Sequence, residues 1–275
     1  MNPLALVVEN DANTRRLLEV LLTRFGFDVD PVGNGADALL LLPRIDYDAT
    51  FLDLALPGAS GHELIERLAA RRPEALERVA VVSSASKAEL ERVRRQWPGV
   101  RTIRKPFELG EIVATAQEIT SGRTRDAGTP DELFTRRSIA LGAKAGVVAL
   151  REGDVLQPVA TFGVSQEDLV TFAEIRVDDP YPLSIAARDV RPVWLTSFAA
   201  AAEAYPDLAP LWQRNDSRAF AAVPLLRDGR LVGAAGWAFR EPHLFAEPEQ
   251  RAFLEFSELV ARNFDRAQSA GATGA

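Results

Sequence analysis

Residues 49–58 read ATFLDLALPG, a short apolar strand that ends on the carboxylate of Asp53 and breaks at a Pro-Gly turn. Three more apolar segments in the first half of the chain are also followed by polar side chains. They are residues 4–8, followed by Glu9-Asn10-Asp11; residues 79–82, followed by Ser83; and residues 100–103, followed by Arg104-Lys105. In a parallel sheet the carboxyl ends of the strands meet along one edge, where ligands bind. We therefore expect two acids, a hydroxyl and a lysine to converge there.

Strand and helix patterns alternate across the first 120 residues. Residues 12–25 carry leucines at helical spacing, and Gly26 suits a C-terminal cap. Ser60 and Ser86 each precede a glutamate by three residues, a pattern typical of helix N-termini. Five strands alternating with five helices predict an α/β fold with a doubly wound, five-stranded parallel sheet.

Residues 33–38 read GNGADA and match the relaxed Gly-x-Gly-x-x-Ala fingerprint of dinucleotide-binding folds, with Asp53 about 20 residues further on. This alternative leaves Glu9, Ser83 and Lys105 without a role, and it places the fingerprint on the second strand. We interpret the two glycines as a tight turn from a strand into a helix.

The composition turns polar after residue 120, which predicts a domain at 1–121, a linker at 122–130 and a second domain at 131–270. In the second domain, tight turns at Glu152-Gly153-Asp154 and Arg227-Asp228-Gly229-Arg230 join apolar strands into hairpins. A helix over residues 248–266 closes the chain. We predict an α+β domain with a mostly antiparallel sheet.

The composition excludes several classes of function. The net charge of −7 argues against affinity for nucleic acid, which needs a basic face. The chain has no cysteine, so disulfides, thiol catalysis, thiolate metal sites and thioether-linked chromophores are excluded. No uncharged apolar run approaches the ~18 residues of a membrane span, and the N-terminus lacks a basic signal segment. We expect a cytoplasmic protein that binds neither membrane nor nucleic acid.

The residues at the predicted strand ends suit phosphoryl chemistry. Asp53 can act as a ligand for Mg²⁺, which prefers oxygen atoms, and as a nucleophile. Ser83 and Lys105 supply a hydroxyl and an ammonium that can stabilise the charge on a transferred phosphoryl group. The Lys105-Pro106 bond is a candidate cis peptide. Only three of the 32 basic residues are lysines, so a lysine at this position is informative.

Four motifs resemble the receiver domain of two-component response regulators over about residues 3–120: VVEND at 7–11, LDLALPG at 52–58, VSS at 82–84 and KPF at 105–107. The resemblance implies a flavodoxin-like sheet in which Asp53 accepts phosphate from a histidine kinase or a phosphotransfer protein. It implies that Ser83 and Lys105 assist, and that Mg²⁺ is held by Glu9, Asn10, Asp53 and the carbonyl of Ala55.

Two residues depart from the receiver pattern. Asn10 stands where the family has a second acid that touches the metal, so we expect weakened Mg²⁺ binding. Thr102 stands three residues before Lys105, where many receivers carry a switch aromatic, so we expect no aromatic relay. One alternative is therefore an adaptor with a degenerate receiver that works without phosphorylation.

Residues 131–268 resemble a GAF domain through AGVVAL at 145–150, RPVWL at 191–195, AVPL at 222–225 and LVGAAG at 231–236. The resemblance implies a cavity on one face of the sheet; its ligand is unknown, and a covalent bilin is excluded because there is no cysteine. A small-molecule sensor acting through this cavity is a further alternative. Four aromatic residues suit either a pocket or, as we prefer, an ordinary core: Trp194, Trp212, Phe220 and Trp237.

The closing helix carries an apolar stripe that either covers the sheet or packs in a bundle that would form a homodimer; it comprises Phe253, Phe256, Val260 and Phe264. Together these patterns predict a two-component response regulator phosphorylated on Asp53, with a GAF domain for sensing or protein interaction. We expect a downstream protein target and no DNA-binding output. We expect no enzymatic activity beyond phosphorylation and dephosphorylation of Asp53 itself.

Overall fold

The computed structural model describes residues 2–121, 129–165, 167–168 and 174–271, with side chains as far as residue 264. The chain divides into two compact units, residues 1–128 and 129–275. Within the described residues, no helix has both the length and the apolar character that crossing a membrane requires.

The first unit is a five-stranded sheet with helices between its strands. The strands are β1 (Leu4–Val8), β2 (Asp28–Val32), β3 (Ala49–Leu52), β4 (Val79–Ser83) and β5 (Arg101–Arg104). The helices are α1 (Ala12–Arg24), α2 (Gly35–Leu41), α3 (Gly61–Arg71), α4 (Lys87–Gln96) and α5 (Leu109–Thr120), with a 3-10 helix at Pro73–Arg78. The strand order is β2-β1-β3-β4-β5, and all pairs are parallel. The predicted α/β sheet is confirmed.

The central strands are apolar because both faces of the sheet are covered. Every residue of β1, β3 and β4 is buried. On one face, Leu18 and Leu22 of α1 join Ile112 and Ala116 of α5 in a single core cluster. Parallel sheets covered on both faces have such continuous apolar strands instead of alternating ones. The charged side chains next to these three strands, among them Glu9 and Asp53, therefore lie at the strand ends.

Polar side chains begin four of the five helices. Asp11, Asn34, Ser60 and Ser86 each accept the backbone N–H of the residue three positions on. Such caps satisfy N–H groups that have no partner inside the helix. The cap by Asn34 confirms that residues 33–38 form a turn from a strand into a helix.

Two glycines allow helices to approach the loop that follows β3. A Cβ on Gly35 would overlap the carbonyl oxygen of Ala59, and one on Gly61 would overlap the carbonyl oxygen of Asp53. The Gly35 N–H also donates to the carbonyl of Pro57 at 3.1 Å, and the Gly61 N–H donates to the carbonyl of Leu54 at 3.1 Å. The position of this loop therefore depends on both glycines.

We predict that Gly35→Ala destabilises the first unit by about 2 kcal/mol, because the added methyl group meets a backbone oxygen that cannot move away cheaply. Urea denaturation measures the change. Gly110→Ala is the matched control, since a Cβ there meets nothing within 4 Å, and it should be neutral or stabilising by up to about 1 kcal/mol. Equal stability of the two variants would contradict the close approach.

The second unit is a six-stranded sheet flanked by helices. The strands are β6 (Ala145–Glu152), β7 (Val155–Phe162), β8 (Ile175–Arg176), β9 (Val193–Leu195), β10 (Ala219–Arg227) and β11 (Arg230–Phe239). The helices are α6 (Pro130–Ala140), α7 (Pro182–Asp189), α8 (Phe198–Ala204), α9 (Ala209–Arg214) and α10 (Glu247–Gly271), with a 3-10 helix at Pro206–Leu208. The strand order is β8-β7-β6-β11-β10-β9, and all pairs are antiparallel.

Both predicted hairpins are confirmed. β6 and β7 pair across a turn in which Gly153 has φ +62°, and β10 and β11 pair across a turn in which Asp228 and Gly229 have φ +48° and +75°. Glycine and aspartate tolerate this left-handed region better than most residues. Of the expected linker at 122–130, residues 122–128 lie outside the described residues. Thr129 caps α6 and Pro130 is its first residue.

The stripe on α10 covers one face of this sheet. Its four members, named above, are all buried, and α10 contacts both β10 and α6. The interpretation of the stripe as a sheet cover is therefore supported. A homodimer remains a prediction, and it would need residues other than these four.

Candidate functional site

The polar residues at the strand ends of the first unit converge as the sequence predicts. Glu9 directly follows β1, Asp53 follows β3, Ser83 ends β4 and Lys105 follows β5. The Lys105 N–H donates to the carbonyl of Ser83 at 2.9 Å, which ties the end of β5 to β4. The Lys105-Pro106 bond is cis.

Lys105 joins the two acids. Its Nζ donates to Asp53 Oδ2 at 2.6 Å and to Glu9 Oε2 at 2.5 Å. Asp53 Oδ1 accepts the Ser83 hydroxyl at 2.8 Å and the Ala55 N–H at 3.1 Å. One oxygen of Asp53 therefore has two donors and the other has one. A carboxylate oxygen offers two lone pairs, so Oδ2 keeps the greater capacity for a further bond.

The two carboxylates are buried and the lysine is partly exposed. Asp53 and Glu9 are 4% and 1% exposed, and the Lys105 side chain is 19% exposed. Burial alone would lower the pKa of Lys105, but its hydrogen bonds to Asp53 and Glu9 outweigh burial and raise that pKa. The ammonium therefore stays charged through the neutral range. It partly offsets the desolvation of two like charges.

Residues 9–11, which follow β1, are held in place by side chains that bond to their backbone groups. Glu9 Oε1 accepts the Asp11 N–H at 3.1 Å, while Arg15 Nη1 donates to the carbonyls of Glu9 at 2.7 Å and Asn10 at 3.2 Å. Asn10 is exposed. Asp11 caps α1 through the N–H of Thr14, and this hydrogen bond lowers the pKa of Asp11. The carboxylate of Asp11 is thus engaged in capping.

Arg15 is the contact that sequence reasoning missed. Arginines are abundant in this chain, 29 of the 32 basic residues, so one more in a helix carries little signal. Its position in the first turns of α1, six residues after Glu9, is the only hint that the sequence contains.

The oxygen donors at this site suit a hard divalent cation that is held by two carboxylates and by neutral oxygen atoms. Glu9 and Asp53 supply carboxylate oxygens, and Asn10 and the carbonyl of Ala55 are neutral oxygen donors nearby in sequence. Mg²⁺ is usually held by one or two carboxylates together with substrate phosphate, so these residues fit it. Within the described residues, no group of three or more His, Cys, Asp and Glu side chains is placed to hold a metal.

Comparison with known families assigns both units. Residues 5–117 match the response regulator receiver domain, and residues 132–265 match the GAF domain. The chain is a receiver domain followed by a GAF domain. Both resemblances found in the sequence are thereby confirmed.

Two individual relatives share about a quarter of the aligned residues with this chain. The chain is 26% identical over 160 residues to the sensory transduction protein RegX3 of Mycolicibacterium smegmatis, which covers 57% of this chain and 68% of RegX3. It is 28% identical over 133 residues to the response regulator protein PilR of Pseudomonas aeruginosa, which covers 47% of this chain but 29% of PilR. A solved GAF domain from a phosphoenolpyruvate-protein phosphotransferase of Coxiella burnetii is 21% identical, with 53% of this chain and 88% of that chain covered and a TM-score of 0.44.

The GAF domain contains a partly open cavity of about 230 Å³. It lies on the face of the sheet opposite α10, where α7 and α9 cover β6, β10 and β11. Its wall is mostly apolar and includes Trp212 and Phe220, whose ring centroids are 4.0 Å apart. Lys144, Asp168 and Asn215 border one end.

The four aromatic residues singled out in the sequence divide between the two interpretations. Trp212 and Phe220 pack in the core and border the cavity. Trp237 also borders it, but its ring packs against aromatic rings of α6 and α10, and its Nε1 donates to Ser138 Oγ at 2.7 Å. Trp194 packs against aromatic rings in and before α10. The core interpretation is therefore supported for Trp194 and Trp237.

We predict that Lys105 titrates above, and Lys144 below, the ordinary lysine pKa of 10.5, because Lys105 is held between two carboxylates while Lys144 is half-buried beside arginines. The Lys105 pairing contributes stability that is fully present below pH 10.5 and is lost as the pH rises through the folded pKa. With only three lysines in the chain, ¹³C labelling of lysine gives three signals to follow by NMR.

Asp53→Asn is the control for this titration. It removes one charged acceptor of Lys105 and should lower the Lys105 pKa while leaving that of Lys144 unchanged. A Lys105 signal that titrates below 10.5 in the wild-type protein would contradict the pairing.

Proposed function

We propose that the chain is a two-component response regulator in which Asp53 accepts a phosphoryl group from a partner histidine kinase or phosphotransfer protein. The observation that carries this proposal is the arrangement around Asp53. Ser83 and the Ala55 N–H donate to Oδ1, and Lys105 donates to Oδ2. Receiver domains generally work with a histidine kinase, which supports the same assignment.

The transfer uses Oδ2 as the nucleophile. Oδ2 attacks the phosphorus, the O–P bond forms, and the P–N bond to the partner's histidine breaks. The electron pair of that bond returns to the imidazole nitrogen. The product is an acyl phosphate on Asp53. Lys105 and Ser83 are the groups that can turn their N–H and O–H donors toward the phosphoryl oxygens.

Receiver domains generally bind Mg²⁺, and a bound Mg²⁺ would neutralise charge on the phosphoryl oxygens. Glu9, Asp53, Asn10 and the Ala55 carbonyl are the residues that would hold it here. Because Asn10 is neutral, we propose that the site binds Mg²⁺ more weakly than a receiver with an acid at this position. Before transfer, Lys105 supplies the positive charge between Glu9 and Asp53.

We further propose that phosphorylation changes how the receiver docks on a downstream protein, and that the GAF domain serves sensing or protein interaction. The protein would act in the cytoplasm, without DNA-binding output, in keeping with its net charge of −7. Its only chemistry would be phosphorylation and dephosphorylation of Asp53. A shift between two receiver conformations needs only a modest difference in free energy.

One observation favours a second function, an adaptor that works without phosphorylation. Asn10 removes an acidic side chain from the site, and Lys105 already satisfies both remaining carboxylates. In an adaptor the receiver would be a docking surface only. The next two experiments separate the two functions.

We predict that incubation with acetyl phosphate and Mg²⁺ adds one phosphoryl group to the wild-type chain and none to Asp53→Asn, because the Ser83 hydroxyl and the Lys105 ammonium both donate to the Asp53 carboxylate. Intact-mass spectrometry at neutral pH measures the adduct. Asp48→Asn is a control at another buried carboxylate and should still be phosphorylated. An unmodified wild-type protein would support the adaptor instead.

We predict that Asn10→Asp tightens Mg²⁺ binding about tenfold, since ligand charge sets the affinity for hard cations. Isothermal titration calorimetry measures the affinity. Asn13→Asp makes the same change at an exposed position in α1 and should leave binding nearly unchanged. If both variants gain the same affinity for Mg²⁺, the added negative charge acts without regard to position, and Asn10 has no part in the metal site.

A further inference from the structure

The GAF cavity has an apolar body. β10 and β11 contribute small side chains to its floor, among them Ala222, Gly236 and Ala238. A Cβ on Gly236 would lie 3.2 Å from Leu183 Cδ1, so this glycine lets α7 pack closely against the sheet. Small residues on this face of the sheet leave space between the sheet and the helices. Large rings such as Trp212 line that space.

Among the described residues that line the cavity, Lys144 places a positive charge at one end. Lys144 Nζ donates to the carbonyls of Asn215 and Asp216, which leaves one of its three N–H groups for another acceptor. Burial, followed by the nearby charge of Arg240, lowers the pKa of Lys144. An anion beside Lys144 would relieve both effects, because it replaces lost hydration and offsets the neighbouring positive charge.

The carboxylate at this end of the cavity, Asp168, already has hydrogen-bond donors. Asp168 is 3% exposed and accepts hydrogen bonds from Ser165 Oγ at 2.6 Å, Arg214 Nη2 at 2.9 Å and Asn215 Nδ2 at 2.9 Å. Burial alone would raise the pKa of Asp168, but these three donors lower it. The carboxylate stays charged and engaged, so it does not compete with a ligand for Lys144.

The volume limits the size of a ligand. A cavity of about 150 Å³ accommodates benzene, so about 230 Å³ accommodates roughly ten non-hydrogen atoms. A cyclic nucleotide has about twice that number and carries polar groups all round, which an apolar wall would leave without partners.

We propose that the GAF cavity binds a small monocarboxylic acid with an apolar, ring-sized body, its carboxylate on Lys144 and its body against Trp212 and Phe220. This inference rests on the sensing role proposed above for the GAF domain, and it is independent of phosphorylation at Asp53. Arrangements of this kind, an apolar pocket with one placed charge, are typical of small-ligand sites.

The test uses the full chain and a matched pair of probes, phenylacetate and phenylacetamide, in isothermal titration calorimetry. We expect phenylacetate to bind at least tenfold more tightly than the neutral amide. Lys144→Gln, which keeps a donor but loses the charge, should weaken phenylacetate at least tenfold and leave the amide unchanged. Lys87→Gln is the control at a lysine of the receiver domain and should change neither affinity.

Ala222→Leu tests the cavity separately from the charge. The larger side chain fills the floor, so it should abolish binding of both probes while circular dichroism shows a folded protein. This arm decides the outcome if Lys144→Gln does not fold. Asp53→Asn should bind phenylacetate as the wild type does, so a failure of phosphorylation would leave the result standing. Equal affinities for the two probes, no binding to wild type, or unchanged binding to folded Ala222→Leu would each overturn the proposal.

Discussion

The contact of one ammonium with two buried carboxylates organises the receiver domain. Glu9 and Asp53 follow the neighbouring, buried strands β1 and β3, so their charges would repel each other in a poorly hydrated place. Lys105 offsets that cost by bonding to both. The backbone of Lys105 is in turn bonded to Ser83, so three strand ends depend on one residue. Any reaction at Asp53 has to begin from this balanced state.

The strand ends could be predicted because a parallel sheet converts order along the chain into proximity in space. Once four apolar segments were recognised, Asp53, Ser83 and Lys105 had to lie on one edge. The donors within that edge could not be predicted, since they depend on side-chain angles and on the backbone of the loops. Arg15 is the example. It acts on two carbonyl oxygens, which have no signature in the sequence.

The GAF domain shows a different limit. Its hairpins follow from turns that contain glycine and aspartate, but its cavity depends on α7 and α9, short helices with weak sequence patterns. The role of an aromatic residue there depends on which face of a strand it occupies. Phe220 and Trp237 sit on neighbouring strands, one facing the cavity and the other facing α10. Successive residues of a strand point to opposite faces, so a one-residue difference in register separates a pocket wall from a core.

The two informative lysines stand in opposite electrostatic situations. Lys105 has two carboxylate partners and a raised pKa, whereas Lys144 has backbone carbonyls, nearby arginines and a lowered pKa. In the proposed phosphorylation, a phosphoryl group on Asp53 would have to draw Lys105 away from its two carboxylate partners, and the added negative charge would need a cation. An anion bound as proposed at Lys144 would instead give a charged partner to an ammonium whose hydrogen bonds go to backbone carbonyls. Under the two proposals, phosphorylation would rearrange the contacts of Lys105, whereas ligand binding would add a contact to Lys144.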